Sequence, residues 1–340
     1  MAPVAPASCA ACVRDGRDRR QPFSIGGRSM RWHVHLCGCF VLSTAPGVLA
    51  QPPDANLPPP VPEGVTDDAD LDVLTRGPVH EAFAEQINRD PSAGIVVPKA
   101  PPEPVAEIPP DAKPEGDDVA WISGYWFWDK DRNDFVWVSG VWRRIPPGRR
   151  WVPGYWQAES GGYQWVAGFW AAAERSELEY LDAPPASLEV GPASPAPSVD
   201  HFWIPGCWIS TAGSYSWRPG YWSAYRVDWT WITARYAWTP RGCIYVSGYW
   251  DHPWSRRGCL FAPIYFRRPV YLQVGYNYRP AWCIEYNTLL LHLFVRPTYH
   301  HYYFGDYYGP EYHRDYYYAC RAYGGSQSWY DPFCVYYQHL

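Results

Sequence analysis

No apolar run in this sequence reaches the roughly 18 consecutive residues that a membrane-spanning helix needs, so no transmembrane span is expected. Excess basic charge is missing too. The 340 residues carry 29 Lys and Arg against 34 Asp and Glu, a formal charge of −5. That balance excludes a nucleic-acid binder held by phosphate contacts. Uninterrupted helix-forming stretches are scarce, because 37 Pro and 28 Gly are spread along the chain; a helical bundle or coiled coil is excluded. Catalytic signatures are absent as well: there is no G-x-S-x-G, P-loop, G-x-G-x-x-G or H-E-x-x-H. Aromatic residues are nearly missing from positions 1–120, which hold Trp32 and no Tyr, although the whole chain has 21 Trp and 28 Tyr.

What stands at the N-terminus instead is an address. After an Arg-rich upstream stretch come Met30-Arg31-Trp32-His33, a mainly apolar run from Val34 to Ala45, and Val48-Leu49-Ala50. A positive n-region, an h-region and a small-residue cleavage site form a secretory signal, with cleavage expected after Ala50 and Gln51 as the mature N-terminus. Translation is expected to begin at Met30 as an alternative to Met1. A lipoprotein variant would use the Leu36-Cys37-Gly38-Cys39 run. Export to the periplasm, outer envelope or extracellular space agrees with cysteine usage. The six Cys beyond the cleavage point form no C-x-x-C pair, and their even number suggests disulfides. Cys243 and Cys259 both follow Arg-Gly and open β-like runs, so they are the candidate pair.

Residues 51–120 contain 15 Pro and a net charge of −11, a composition expected to be mostly disordered. One short helix is expected near residues 79–88, where Phe83 and Ile87 stand four apart. From Trp121 the chain repeats W-x-x-G-x-W, with a first step of 16 residues and a period of 14 thereafter within each block. The paired positions are Trp121/Trp126, Trp137/Trp142, Trp151/Trp156 and Trp165/Trp170, then Trp203/Trp208 and Trp217/Trp222. Two further copies complete the second block, the first of them found by phase alone. One is the altered Trp231-Ile-Thr-Ala-Arg-Tyr236, and the other is Tyr245-Val-Ser-Gly-Tyr-Trp250.

Two tryptophans five apart cannot share a face of a straight strand. They can if a turn lies midway, which would set Trp151 against Trp156. They can also if Gly is a bulge in one continuous strand, which would give an eight-strand meander with turns such as residues 158–162. The loop-like residues 158–162 favour the second arrangement. Either way the fold is all-β, an antiparallel β-repeat with a disordered Pro-rich N-terminal segment. Block 121–170 is separated from block 201–275 by a Pro-rich linker, 171–200, that opens with a possible short helix over 171–178. Residues 260–266 and 269–274 read as further strands. A Tyr/His-rich region, 276–340, follows, and the chain is expected to be a fragment that stops inside it.

These motifs, with Arg76-Gly-Pro-Val-His-Glu-Ala-Phe-Ala84 and His301-Tyr-Tyr-Phe-Gly-Asp-Tyr-Tyr308, resemble the bacterial WXXGXW (YXWXXGXW) repeat family. The resemblance implies an exported protein and supplies no activity. No catalytic or cofactor-binding residue is assigned and no cofactor is expected. His300, His301 and His313 are weak candidates for a metal site beside Asp306, Glu311 and Asp315. The expected function is a non-enzymatic structural or adhesive element of the cell envelope, self-associating or held to envelope polysaccharide. The alternative is a glycan- or peptidoglycan-binding module that uses exposed Trp and Tyr faces.

Overall fold

A computed structural model describes residues 70–88, 90–296 and 299–320. The signal segment, the first part of the acidic leader and the last twenty residues lie outside it. Within the described residues the chain is an antiparallel β-repeat protein, and its unit is a hairpin built from two motifs.

The first hairpin shows how the motif folds. Val119–Ile122 pairs with Val141–Arg144, and Tyr125–Asp129 pairs with Asp134–Val138. Trp121 therefore faces Trp142, and Trp126 faces Trp137. The same arrangement recurs three times. Trp151 faces Trp170 and Trp156 faces Trp165. Trp203 faces Trp222 and Trp208 faces Trp217. In the fourth hairpin Trp231 faces Trp250 and Tyr236 faces Tyr245.

Neither expected local geometry is the observed one. The midway turn fails because Trp151 pairs with Trp170 rather than with Trp156. The bulge fails because the register is identical on both sides of each Gly, so no residue is inserted. Each motif is one strand whose ladder simply opens at its third and fourth residues. Both tryptophans of a motif nonetheless lie on one face, as the Trp137 and Trp142 indoles show by donating to the same segment, at Glu107 and Pro110. The hairpin turns do fall between motifs, at residues such as Ser160 and Gly161. There is no continuous meander, since no ladder joins one hairpin to the next among the described residues.

Other segments extend the hairpins. Leu71–Val73 and Ile264–Phe266 add to the tip half of the first hairpin, and Gly258–Leu260 adds to its base. Val96–Val97 pairs with the second hairpin. A separate four-stranded sheet has the order Gly77–Pro78, His301–Phe304, Leu293–Arg296, Tyr318–Ala319.

Several expectations are corrected here. The leader from residue 70 onward is packed rather than disordered: Val79, Ala82, Phe83 and Ile87 are buried among Trp170, Trp254, Val295 and Tyr302. Residues 79–88 form turns and extended chain, not a helix; the Ala82 carbonyl accepts from the Arg143 and Trp170 side chains and the Phe83 carbonyl from Arg257. Residues 171–178 finish the strand Phe169–Ala172 and turn. Residues 270–272 form a 3₁₀ turn in place of a strand.

The expected Cys243–Cys259 bridge is absent. Cys259 bonds Cys283, while Cys243 is a buried free thiol. Sheet pairing decides this: Cys243 lies opposite Trp238 in the fourth hairpin, whereas Cys259 lies beside the first. Peptide mapping without reductant is expected to recover one fragment joining residues 259 and 283, and none joining 243 to either.

Candidate functional site

The motif tryptophans meet in edge-to-face or tilted pairs, with ring centroids 5.2–5.4 Å apart in all four hairpins. Such pairs contribute about 0.5–1.5 kcal/mol each beyond their area. Each first-position indole also lies over the glycine of the opposite motif. A Cβ on Gly168 would stand 2.5 Å from Trp151 Cζ2, and one on Gly206 would stand 2.5 Å from Trp217 Cζ2. Glycine is needed because an indole occupies the space of a side chain.

The altered copies obey the same rule. By register the residue over position 234 is Tyr245, where the other hairpins have Trp. Position 234 is the one motif glycine replaced by Ala. A smaller ring thus accompanies the larger backbone residue.

The open ladder leaves inward amide groups, which need acceptors. A glutamate supplies them in three hairpins. Glu107 Oε1 accepts the Trp137 indole N–H at 2.7 Å and the Gly140 N–H at 3.0 Å, while Oε2 accepts the Gly124 N–H at 2.9 Å. Glu81 accepts the Trp165 indole and the Gly168 amide, both at 2.9 Å. Glu189 accepts from Trp203 at 3.0 Å and from the Gly206 amide. The indole and the amide of a single W-x-x-G thus form a two-pronged carboxylate receptor.

Pro-rich segments deliver two of these carboxylates. The chain around Glu107 takes the Trp126 indole N–H on the Glu103 carbonyl and that of Trp142 on the Pro110 carbonyl. The linker does the same on the third hairpin, through the carbonyls of Ala186 and Ser194 to Trp208 and Trp222. Glu107 and Glu189 each precede the first Trp of their block by one 14-residue period. Composition alone made these segments look like leader and linker; each is a strap across a tryptophan face. The second hairpin stacks on the first through the Trp156 indole and the Trp126 carbonyl, 2.8 Å, and the fourth on the third through Tyr236 and the Trp208 carbonyl, 3.1 Å.

Glu81 belongs to a buried polar chain. The His301 Nδ1–H donates to the Tyr299 carbonyl, its Nε2 accepts from Tyr125 at 2.9 Å, and the Tyr125 oxygen accepts the Glu81 N–H. Burial keeps His301 neutral even though its Nε2 lies 3.4 Å from Glu81 Oε1. Burial pushes its pKa down to about 3 and that of His80 to about 4, and it pushes Glu81 up to about 8.

The signs separate by pH. The unfolded carboxyl titrates near 4.3, so folding favours its proton and stability drains as pH rises from about 4 to about 8. The histidines act oppositely, but only below about 6.5, where the unfolded rings take up protons that the folded ones refuse. Between pH 6.5 and 8 the carboxyl dominates. A loss of about 1–2 kcal/mol is expected across that window in urea titrations, and Glu81→Gln is expected to flatten it. An unchanged slope in the variant would assign the effect elsewhere.

The three candidate metal ligands are not brought together. His301 is committed as above, His300 bonds Asn88 and Ser92, and His313 packs on Tyr318. Among the described residues no group of three or more His, Cys, Asp or Glu is placed to hold a metal ion.

A family model described as "WXXGXW repeat (2 copies)" matches residues 116–143, 148–171, 199–223 and 226–251. The chain is a WXXGXW-repeat protein. Each matched stretch is one of the four hairpins, so the two copies of the family pattern are the two strands that face each other. No curated protein and no solved structure matches the chain. The WXXGXW residues themselves were legible from the phase. Glu81, Glu107 and Glu189 were missed, although the 14-residue offset of the last two is a signal the sequence holds.

A second group was missed outright. Both carboxylate oxygens of Asp251 accept from the Arg143 guanidinium, at 2.6 and 2.8 Å, and Asp251 lies 3.0 Å from Arg257. All three are buried. The two arginines also donate to the Ala82 and Phe83 carbonyls and lie over the rings of Trp170 and Trp254. This cluster ties the leader, the first hairpin and the fourth hairpin together.

Proposed function

We propose that this WXXGXW-repeat protein is exported and acts without catalysis, as a structural or adhesive component of the bacterial cell envelope. The observation that carries the reading is the use made of the motif tryptophans. Their rings are spent on one another, on glycine backbones and on straps, so the repeat builds braced surface rather than a reaction chamber. The secretory pattern before Gln51 and the cystine Cys259–Cys283 support export. Hairpins such as the third, whose ladder is two strands wide, leave sheet edges on which another copy can pair. No helix among the described residues is long and apolar enough to cross a membrane.

A second reading, glycan or peptidoglycan binding, draws on Tyr155 and Tyr221. They occupy the same place in two motifs and are 46% and 44% exposed. Cell fractionation with N-terminal sequencing tests export, and a cytoplasmic protein that retains residues 30–50 would end that reading. Sedimentation with purified peptidoglycan separates the two roles: saturable binding lost in Tyr155→Ala with Tyr221→Ala would favour the binding module.

A further inference from the structure

A recess of about 680 Å³ opens where the loop joining the third and fourth hairpins meets residues 252–258. That volume falls within the roughly 300–1,000 Å³ of small-molecule sites. Its wall contains Trp229, a tryptophan outside the 14-residue register. The indole is backed by the His252 ring, with centroids 5.0 Å apart and planes 31° from parallel. Around this plate stand two ion pairs, Arg256–Asp228 at 2.8 Å and Arg144–Asp118. Asp228 and Arg256 are 66% and 53% exposed, so their remaining donors and acceptors are open to a ligand. Asp228 also holds φ at 64°, a left-handed conformation that costs a non-glycine residue free energy and recurs at ligand clamps. The His252 Nε2 is buried without a hydrogen-bond partner, 3.9 Å from Asp118 Oδ2.

We infer that this recess is a binding site for a neutral oligosaccharide, with Trp229 as the platform and the Arg256–Asp228 and Arg144–Asp118 pairs as the hydroxyl-recognising rim. A pyranose ring has an apolar C–H face and an equatorial belt of hydroxyls, each both donor and acceptor. An aromatic plate meets the first, and paired opposite charges meet the second. Each of the two guanidiniums that line the recess is paired with a carboxylate, Arg256 with Asp228 in the wall and Arg144 with Asp118 beside it, so the rim offers no excess charge to select an ionic ligand. The motif tryptophans are instead committed to one another in edge-to-face or tilted pairs.

This deepens the saccharide-binding reading, rests on it, and moves the contact surface from Tyr155 and Tyr221 to Trp229. The test titrates the mature chain with chitotetraose and with cellotetraose, followed by tryptophan fluorescence and calorimetry. Saturable binding of either sugar is expected, weakened at least tenfold by Trp229→Ala and by Arg256→Gln, and unchanged by Tyr155→Ala with Tyr221→Ala. The exposed Arg256 guards against a folding defect at Trp229. Binding that follows the tyrosines and ignores Trp229 would overturn this site while leaving the broader reading intact. No saturable binding of either sugar would overturn the site, while peptidoglycan sedimentation tests the broader reading separately.

Discussion

Replacing Asp251 by Ala is expected to lower the stability of the WXXGXW-repeat protein by about 3–5 kcal/mol, the cost typical of removing one partner from a buried ion pair. The effect is large because two guanidiniums, Arg143 and Arg257, would stay fully buried with no counter-charge. Their remaining bonds to the Ala82 and Phe83 carbonyls cannot neutralise them. Urea denaturation measures the loss. Glu179→Ala serves as the comparison, since its pair with Arg175 is 66–69% exposed and surface pairs are worth about 0–1 kcal/mol. Equal losses in the two variants would show that burial does not govern the Asp251 cluster. Leu substituted for Arg257 in the Asp251→Ala background should recover part of the stability, because it removes one of the stranded charges.

Gly168→Ala is expected to cost about 2–3 kcal/mol, the upper range for overpacking a filled site. The new methyl would meet Trp151 Cζ2 at 2.5 Å and the Gly154 nitrogen at 2.8 Å. Trp151→Tyr alone should also destabilise, by loss of ring area and of its pairing with Trp170. Together the two changes should cost less than their sum, with a coupling above about 1 kcal/mol. The chain already contains this combination, as Ala234 under Tyr245. The reverse experiment in the fourth hairpin, Ala234→Gly with Tyr245→Trp, should likewise be non-additive. Strict additivity in both cycles would mean that the ring over the glycine is not what selects it.

How much was legible in advance follows from the range of each interaction. The 14-residue phase located every aromatic pair member, including altered copies such as Trp231–Tyr236, because side-chain alternation is local. The loop-like residues 158–162 identified where a hairpin turns. The open ladder at the third and fourth motif positions was not legible as such: a turn and a bulge put Trp151 and Trp156 on one face equally well, and only strand pairing tells them apart. The leader misled for a physical reason. Proline and acidic residues cannot build a core of their own, yet Glu107 and the carbonyls of Glu103 and Pro110 complete one made by Trp126, Trp137 and Trp142.

The cysteines show the same division. Cys243 and Cys259 share a local context, Arg-Gly before and a strand after, but disulfides form between residues that topology brings together. Cys259 found Cys283 because residues 258–260 and 283–284 flank one another beside the first hairpin.

The order along the chain thus determined the antiparallel β class, the 14-residue unit and which aromatic rings belong to the motif, because those properties depend on neighbours a few residues away. Tertiary structure alone decided which Trp faces which and that the Pro-rich segments are straps. It also decided that Glu81, 84 residues before Trp165, closes the second hairpin. Those outcomes depend on where unpaired amides and buried charges find partners, and a partner can come from any part of the chain that the fold carries there.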